Sequence, residues 1–171
     1  TAGHLRRLLI SEFGSADVPD DLAFRSPRLV YLIAAGAIFQ PAVNGVVFPL
    51  LVKSAIAVKC SSHESVLVPL FVQAIRRIDE DIGSSVSADK NHNDDYWSKA
   101  DLVVAYGSDE TISAIRSRIS PKTQMIGHGH KISVAVIAAG ALQSDASARQ
   151  AARDLALDIS MYDQSGCLSP Q

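Results

Sequence analysis

Asp101-Leu-Val-Val-Ala-Tyr-Gly-Ser-Asp-Glu-Thr-Ile112 is the stretch that decides the fold. A short apolar run after Asp101 reads as a strand, and it runs directly into Gly107-Ser108. A helix begins at once, with Asp109 and Glu110 in its first turn, where acidic residues complement the positive end of the helix dipole. A strand that passes through Gly-Ser into a helix presents backbone N–H groups to an anion. Ser108 also suits a plain N-cap, and the two roles are compatible. The Gly-rich dinucleotide fingerprint is absent.

Working upstream, Leu29-Val-Tyr-Leu-Ile-Ala-Ala-Gly36 is a continuous apolar run ending at glycine, as a buried strand would be, and Ala55-Ile-Ala-Val-Lys59 is a second. Asn44 to Lys53 between them suits a crossover helix, with Pro49 blurring its boundary. Glu64 to Ile78 reads as a helix with Val68, Phe71, Val72 and Ile75 facing a core. The linker from Asp79 to Lys99 is polar, with a short strand at Ser84 to Ser87. Its His92, Asp94 and Asp95 could ligate a metal, but such a cluster is more often a solvated turn, and no metal is expected.

Downstream, Thr123 to Ile137 reads as two strands around a loop, and Ser144 to Met161 as a closing helix with Ala148, Ala151, Ala152, Leu155 and Ile159 on one stripe. Strands near residues 29, 55, 101, 123 and 133 alternate with helices. The expected fold is therefore α/β, a Rossmann-like, mostly parallel sheet of about five strands with helices on both faces. Residues 1–27 form a lead-in, and residues 28–171 one domain.

Composition narrows the class. A chain of 171 residues, 47% hydrophobic and 20% charged, supports a single core. A net charge of -2 with scattered Lys and Arg offers no footprint for nucleic acid. The longest apolar run, Leu29 to Leu51, carries Gly36, Gln40, Pro41, Asn44, Gly45 and Pro49, too many interruptions for a membrane span. With no secretion signal visible and two cysteines in an Ala-rich α/β pattern, reduced thiols in the cytoplasm are expected.

One of those cysteines, Cys167, lies in Gln164-Ser-Gly-Cys-Leu-Ser-Pro170. Its thiolate would be a strong nucleophile toward a carbonyl or thioester if nearby dipoles or cations lower its pKa. A lone cysteine is otherwise most often incidental. This segment resembles the active-cysteine segment of the acyl-CoA reductases, the fatty-acid reductases of luminous bacteria within the aldehyde dehydrogenase superfamily. The resemblance extends from about Arg28 to the end of the chain, with further landmarks in the same order.

Lys59-Cys-Ser-Ser-His-Glu64 resembles the superfamily turn whose lysine meets the adenosine ribose. NAD-preferring members carry an acid three places later, where this chain has Ser62. Lys59, Ser61 and Ser62 therefore imply NADP(H) ahead of NAD(H). A Lys-Ser-Ser turn that merely caps a helix is an equally ordinary reading. Gly107 and Ser108 match the strand-Gly-Ser-helix whose serine contacts the pyrophosphate.

Lys131 matches the lysine of the family's Glu-Leu-Gly-Gly-Lys loop, and counting back places Gly127 where many aldehyde dehydrogenases keep a glutamate base. His128 or His130 could substitute as a base, or both could be structural. Ala37 falls near the family's oxyanion-hole asparagine, which would remove one donor to the tetrahedral intermediate. In the family a second, catalytic domain follows the cysteine, and here only Leu168-Ser-Pro-Gln171 remain.

The resemblance implies reduction of a fatty acyl-CoA to an aldehyde, with Cys167 carrying the acyl group. An ordinary aldehyde dehydrogenase and a truncated, non-catalytic nucleotide-binding or interaction module are the alternatives. A homo-oligomer or an acyl-activating partner protein is compatible with either enzyme.

Overall fold

The computed structural model describes residues 25–161 apart from Ala35, Ala37, Ile38 and His92, together with Gly3, Arg7, Ile10, Ser11 and Gly14. Five strands form one sheet: β1 (Leu29–Ile33), β2 (Ala55–Lys59), β3 (Val86–Asp89), β4 (Leu102–Tyr106) and β5 (Gln124–His128). Their order is β3-β2-β1-β4-β5 and every pairing is parallel. This is the doubly wound arrangement of a Rossmann-like fold, in which strand order reverses beside β1 and a crevice opens at the strands' carboxyl ends.

Helices cover both faces because β1 and β2 are apolar on both sides. Val30, Leu32, Ile56 and Val58 pack against Ala42 and Val46 of α1 (Gln40–Leu51) and Val68 and Val72 of α2 (Leu67–Ile78). On the opposite face Tyr31, Ile33, Val103 and Ala105 meet Tyr96 and Trp97 of α4 (Asp94–Lys99) and Ile112 and Ile115 of α5 (Asp109–Arg116). Tyr31 anchors this second core, its ring 5.2 Å from Trp97 edge-on and 5.4 Å from Tyr96.

Several boundaries differ from the sequence reading, each for a local reason. Helix α1 begins at Gln40 rather than Asn44, because Pro41 sits in the first turn, where its missing N–H has no partner to lose. It tolerates Pro49 near its end and closes at Lys53, whose φ of 63° is left-handed. Helix α2 begins at Leu67, not Glu64, because the Glu64 carboxylate accepts from the N–H groups of Val66 (2.8 Å) and Leu67 (2.7 Å) and so caps the helix from outside. A short helix α3 (Glu80–Ser84), capped by Asp79, then leads into β3.

The expected strand near residue 133 does not form, and the fifth strand is β3. Residues 129–138 carry neither helix nor strand. Ile132, Val134 and Val136 alternate as strand residues do, yet they are 79%, 73% and 89% exposed, with no neighbouring strand. Helix α6 (Asp145–Ser160) follows a 3-10 turn at Ala139–Leu142 and is held by a Ser144/Ser147 capping box, and none of its residues is buried.

At the strands' amino ends, Asp101 ties β1 to β4. Its carboxylate accepts from the backbone N–H groups of Arg28 (2.7 Å) and Leu29 (3.3 Å) and pairs with the Arg28 guanidinium at 3.2 Å. Among the described residues no helix is long and apolar enough to cross a membrane.

Candidate active site

At the carboxyl ends of β1, β2 and β4 a cleft of about 640 Å³ opens. Five residues singled out by sequence, Lys59, Ser61, Ser62, Gly107 and Ser108, line it together. The parallel register explains this: Ile33 of β1 lies beside Lys59 of β2 and beside Ala105 of β4, so the turns that follow emerge side by side.

The β2 turn is built on a buried serine. Ser61 is 8% exposed, and its hydroxyl accepts from the His63 N–H at 3.1 Å, which folds the chain back and leaves Ser62 exposed. Gly36, after β1, packs directly on this turn. A Cβ there would collide with the Ser61 hydroxyl and come 2.9 Å from His63 Cβ, so glycine is required for the two turns to meet. Cys60 points into the first core and is fully buried, and burial, followed by Glu64 and Asp89, pushes its thiol pKa up.

The β4 turn works through backbone instead. The Ser108 hydroxyl accepts from the Thr111 N–H at 3.3 Å as the N-cap of α5. Both acids of the first turn are engaged: Asp109 accepts from the His130 N–H at 2.9 Å, and the Glu110 carboxyl is held below its usual range chiefly by a hydrogen bond with Ser108. Neither acid lines the cleft.

The remaining wall contains residues the sequence reading missed: His63, Trp97, Tyr106, Thr111, Ala114, Ile115 and Arg118. Thr111, Ala114, Ile115 and Arg118 follow helical spacing from Ser108, a stripe that periodicity could have revealed once Ser108 was suspected. Trp97 carries no such signal, since α4 reaches the cleft through its packing on Tyr31. Among the described lining residues Lys59 and Arg118 are basic and no carboxylate occurs. Such a lining fits a phosphorylated ligand: hydroxyls, two basic side chains and a helix N-terminus offer donors, and the Glu110 carboxylate that bonds to Ser108 lies outside the lining.

The other sequence candidates are placed differently. His128 ends β5 and stacks on Tyr106, ring centroids 4.4 Å apart, while His130 is positioned through its backbone by Asp109; neither lines the cleft. Gly127 is exposed on β5, and a Cβ there would come 2.8 Å from Ile112 Cγ2, so a side chain at this position would need Ile112 to give way. Cys167, Ala37 and His92 lie outside the described residues. Among the described residues no group of three His, Cys, Asp or Glu could hold a metal ion.

Compared with family models, residues 15–171 match the one described as acyl-CoA reductase (LuxC). No curated protein matches the chain.

Proposed function

The chain belongs to the LuxC acyl-CoA reductase family, and on that premise we propose that it reduces a fatty acyl-CoA to the aldehyde with NADP(H), through a thioester on Cys167. The observation that carries the cofactor assignment is the cleft at the strand ends, cationic and free of carboxylates along its described lining. Lys59 would pair with the 2′-phosphate of the adenosine ribose, and Ser62 would donate a hydrogen bond to it where an acid would repel it. Ser108 and the first N–H groups of α5 would hold the pyrophosphate. Trp97 would stack on the base, with Arg118 near it.

In the reaction, the Cys167 thiolate attacks the acyl carbonyl, a new C–S bond forms, and CoA leaves as a thiolate that takes up a proton. When bound, a nicotinamide would supply the hydride that the acyl carbon of this thioester takes up. The Cys167 thiohemiacetal then collapses, the C–S bond breaks, and aldehyde departs as the thiolate is restored. Hydrolysis to a free acid would need a base to activate water, and Gly127, which stands where many aldehyde dehydrogenases keep a glutamate, offers none.

The chain's single tryptophan, Trp97, provides the test. Its fluorescence should be quenched by NADPH at lower concentration than by NADH. Tighter NADH binding would reject the phosphate assignment. Iodoacetamide should label Cys167 ahead of buried Cys60, and Cys167→Ser should abolish the covalent acyl adduct. An adduct that survives in that variant would overturn the nucleophile.

A further inference from the structure

The loop after β5 is fastened to the helix terminus that borders the cofactor cleft. The His128 carbonyl accepts from the Gly107 N–H at 3.2 Å, and the His128 ring stacks on Tyr106, so the loop leaves β5 from a fixed point. Two residues on, the His130 N–H donates to Asp109 Oδ1 at 2.9 Å. Gly129 makes that approach possible, because a Cβ there would collide with the same carboxylate oxygen. The glycine supplies room and not an unusual backbone, since Gly14 is the one glycine of positive φ among the described residues. Asp109 opens α5 and follows Ser108, which lines the cleft, yet Asp109 itself stays out of the lining. A carboxylate and a bound phosphate are both drawn to the positive end of a helix, and as like charges they oppose each other there.

We propose that Gly129 and the His130 N–H form a latch that holds the Asp109 carboxylate off the phosphate-binding end of α5, which makes Asp109 and Gly129 positioning residues for dinucleotide affinity. The latch has this role only if that helix terminus takes the pyrophosphate, as proposed for Ser108 and the first N–H groups of α5. It then serves NADPH and NADH alike, because they share that group.

NADPH, NADH and inorganic pyrophosphate titrated by calorimetry into the full chain provide the test. Gly129→Ala should displace the carboxylate and weaken all three about tenfold. Adding Asp109→Asn to that variant should restore wild-type affinity, because the displaced group is then uncharged. Salt at about 1 M should narrow the gap between Gly129→Ala and wild type, since a screened charge no longer repels. His130→Pro removes the donor without crowding the carboxylate and should repeat both the loss and the rescue, so it decides the matter if Gly129→Ala fails to fold. Glu110 keeps its charge in every variant and cancels from their ratios. Unchanged affinity in either folded variant, or a loss that Asp109→Asn and salt leave in place, would overturn the latch. A wild type that binds none of the three would overturn the pyrophosphate site itself, and the latch with it.

Discussion

The turns after β2 and β4 border the same cleft but are built in opposite ways. After β2 the chain runs seven residues before α2 begins, and the turn presents side chains: Lys59 half-buried at its base and Ser62 exposed, beside a buried Ser61 whose hydroxyl accepts from the His63 N–H. After β4 only Gly107 and Ser108 intervene before α5, and the turn presents backbone N–H groups fixed by a helix. Side chains can discriminate between ligands because they can be exchanged for other charges. A helix N-terminus recognises any anion. The β2 turn should therefore set cofactor choice, and the β4 turn should support binding of either cofactor.

Three substitutions, in order of expected effect, can break or sharpen that contrast under the proposed cofactor assignment. Lys59→Glu replaces a cation by an anion at the ribose phosphate and should weaken NADPH binding by about a hundredfold, with NADH affected far less. Comparable losses for the two cofactors, read by Trp97 fluorescence, would show that Lys59 does not discriminate. Ser62→Asp should shift the ratio of affinities about tenfold toward NADH, since a carboxylate accepts from ribose hydroxyls and repels a phosphate. An unchanged ratio would remove Ser62 from the site. Ser108→Ala should weaken both cofactors equally and by only a few-fold, with about 1 kcal/mol lost from the N-cap of α5. A selective loss of NADPH there would undo the contrast itself.

Much of this architecture is legible in the sequence, and the failures have physical causes. β1, β2 and β4 show themselves because central strands of a parallel sheet are covered on both faces and read as unbroken apolar runs. β3 is an edge strand in which only Val86 is fully buried, so Val-Ser-Ala-Asp89 gives a faint signal. Ile132 to Val136 errs the other way. Its alternation is strong, but alternation describes an extended chain with two unlike faces and says nothing about whether a neighbouring strand exists. The cleft divides similarly. Ser108 follows from its strand-to-helix junction and Lys59 and Ser62 from the family resemblance of the turn after β2, whereas Trp97 and Arg118 reach it by tertiary packing of distant segments, which no local pattern encodes.

The Asp101 tie at the start of β1 and β4 makes the joint between the two halves of the sheet responsive to acid. The Arg28 side chain and backbone hold the Asp101 carboxyl below its ordinary 3.8, so the folded protein binds this proton less readily than the unfolded chain. Stability from this group is then fully present above the unfolded value near 3.9 and drains away as pH falls through the lower folded value. Asp101→Asn retains an acceptor for the Arg28 and Leu29 N–H groups but cannot titrate, so its unfolding midpoint should decline less steeply below about pH 4 than that of the wild type. Parallel acid limbs for the two proteins in thermal melts would show that the joint is not where acid first loosens the sheet.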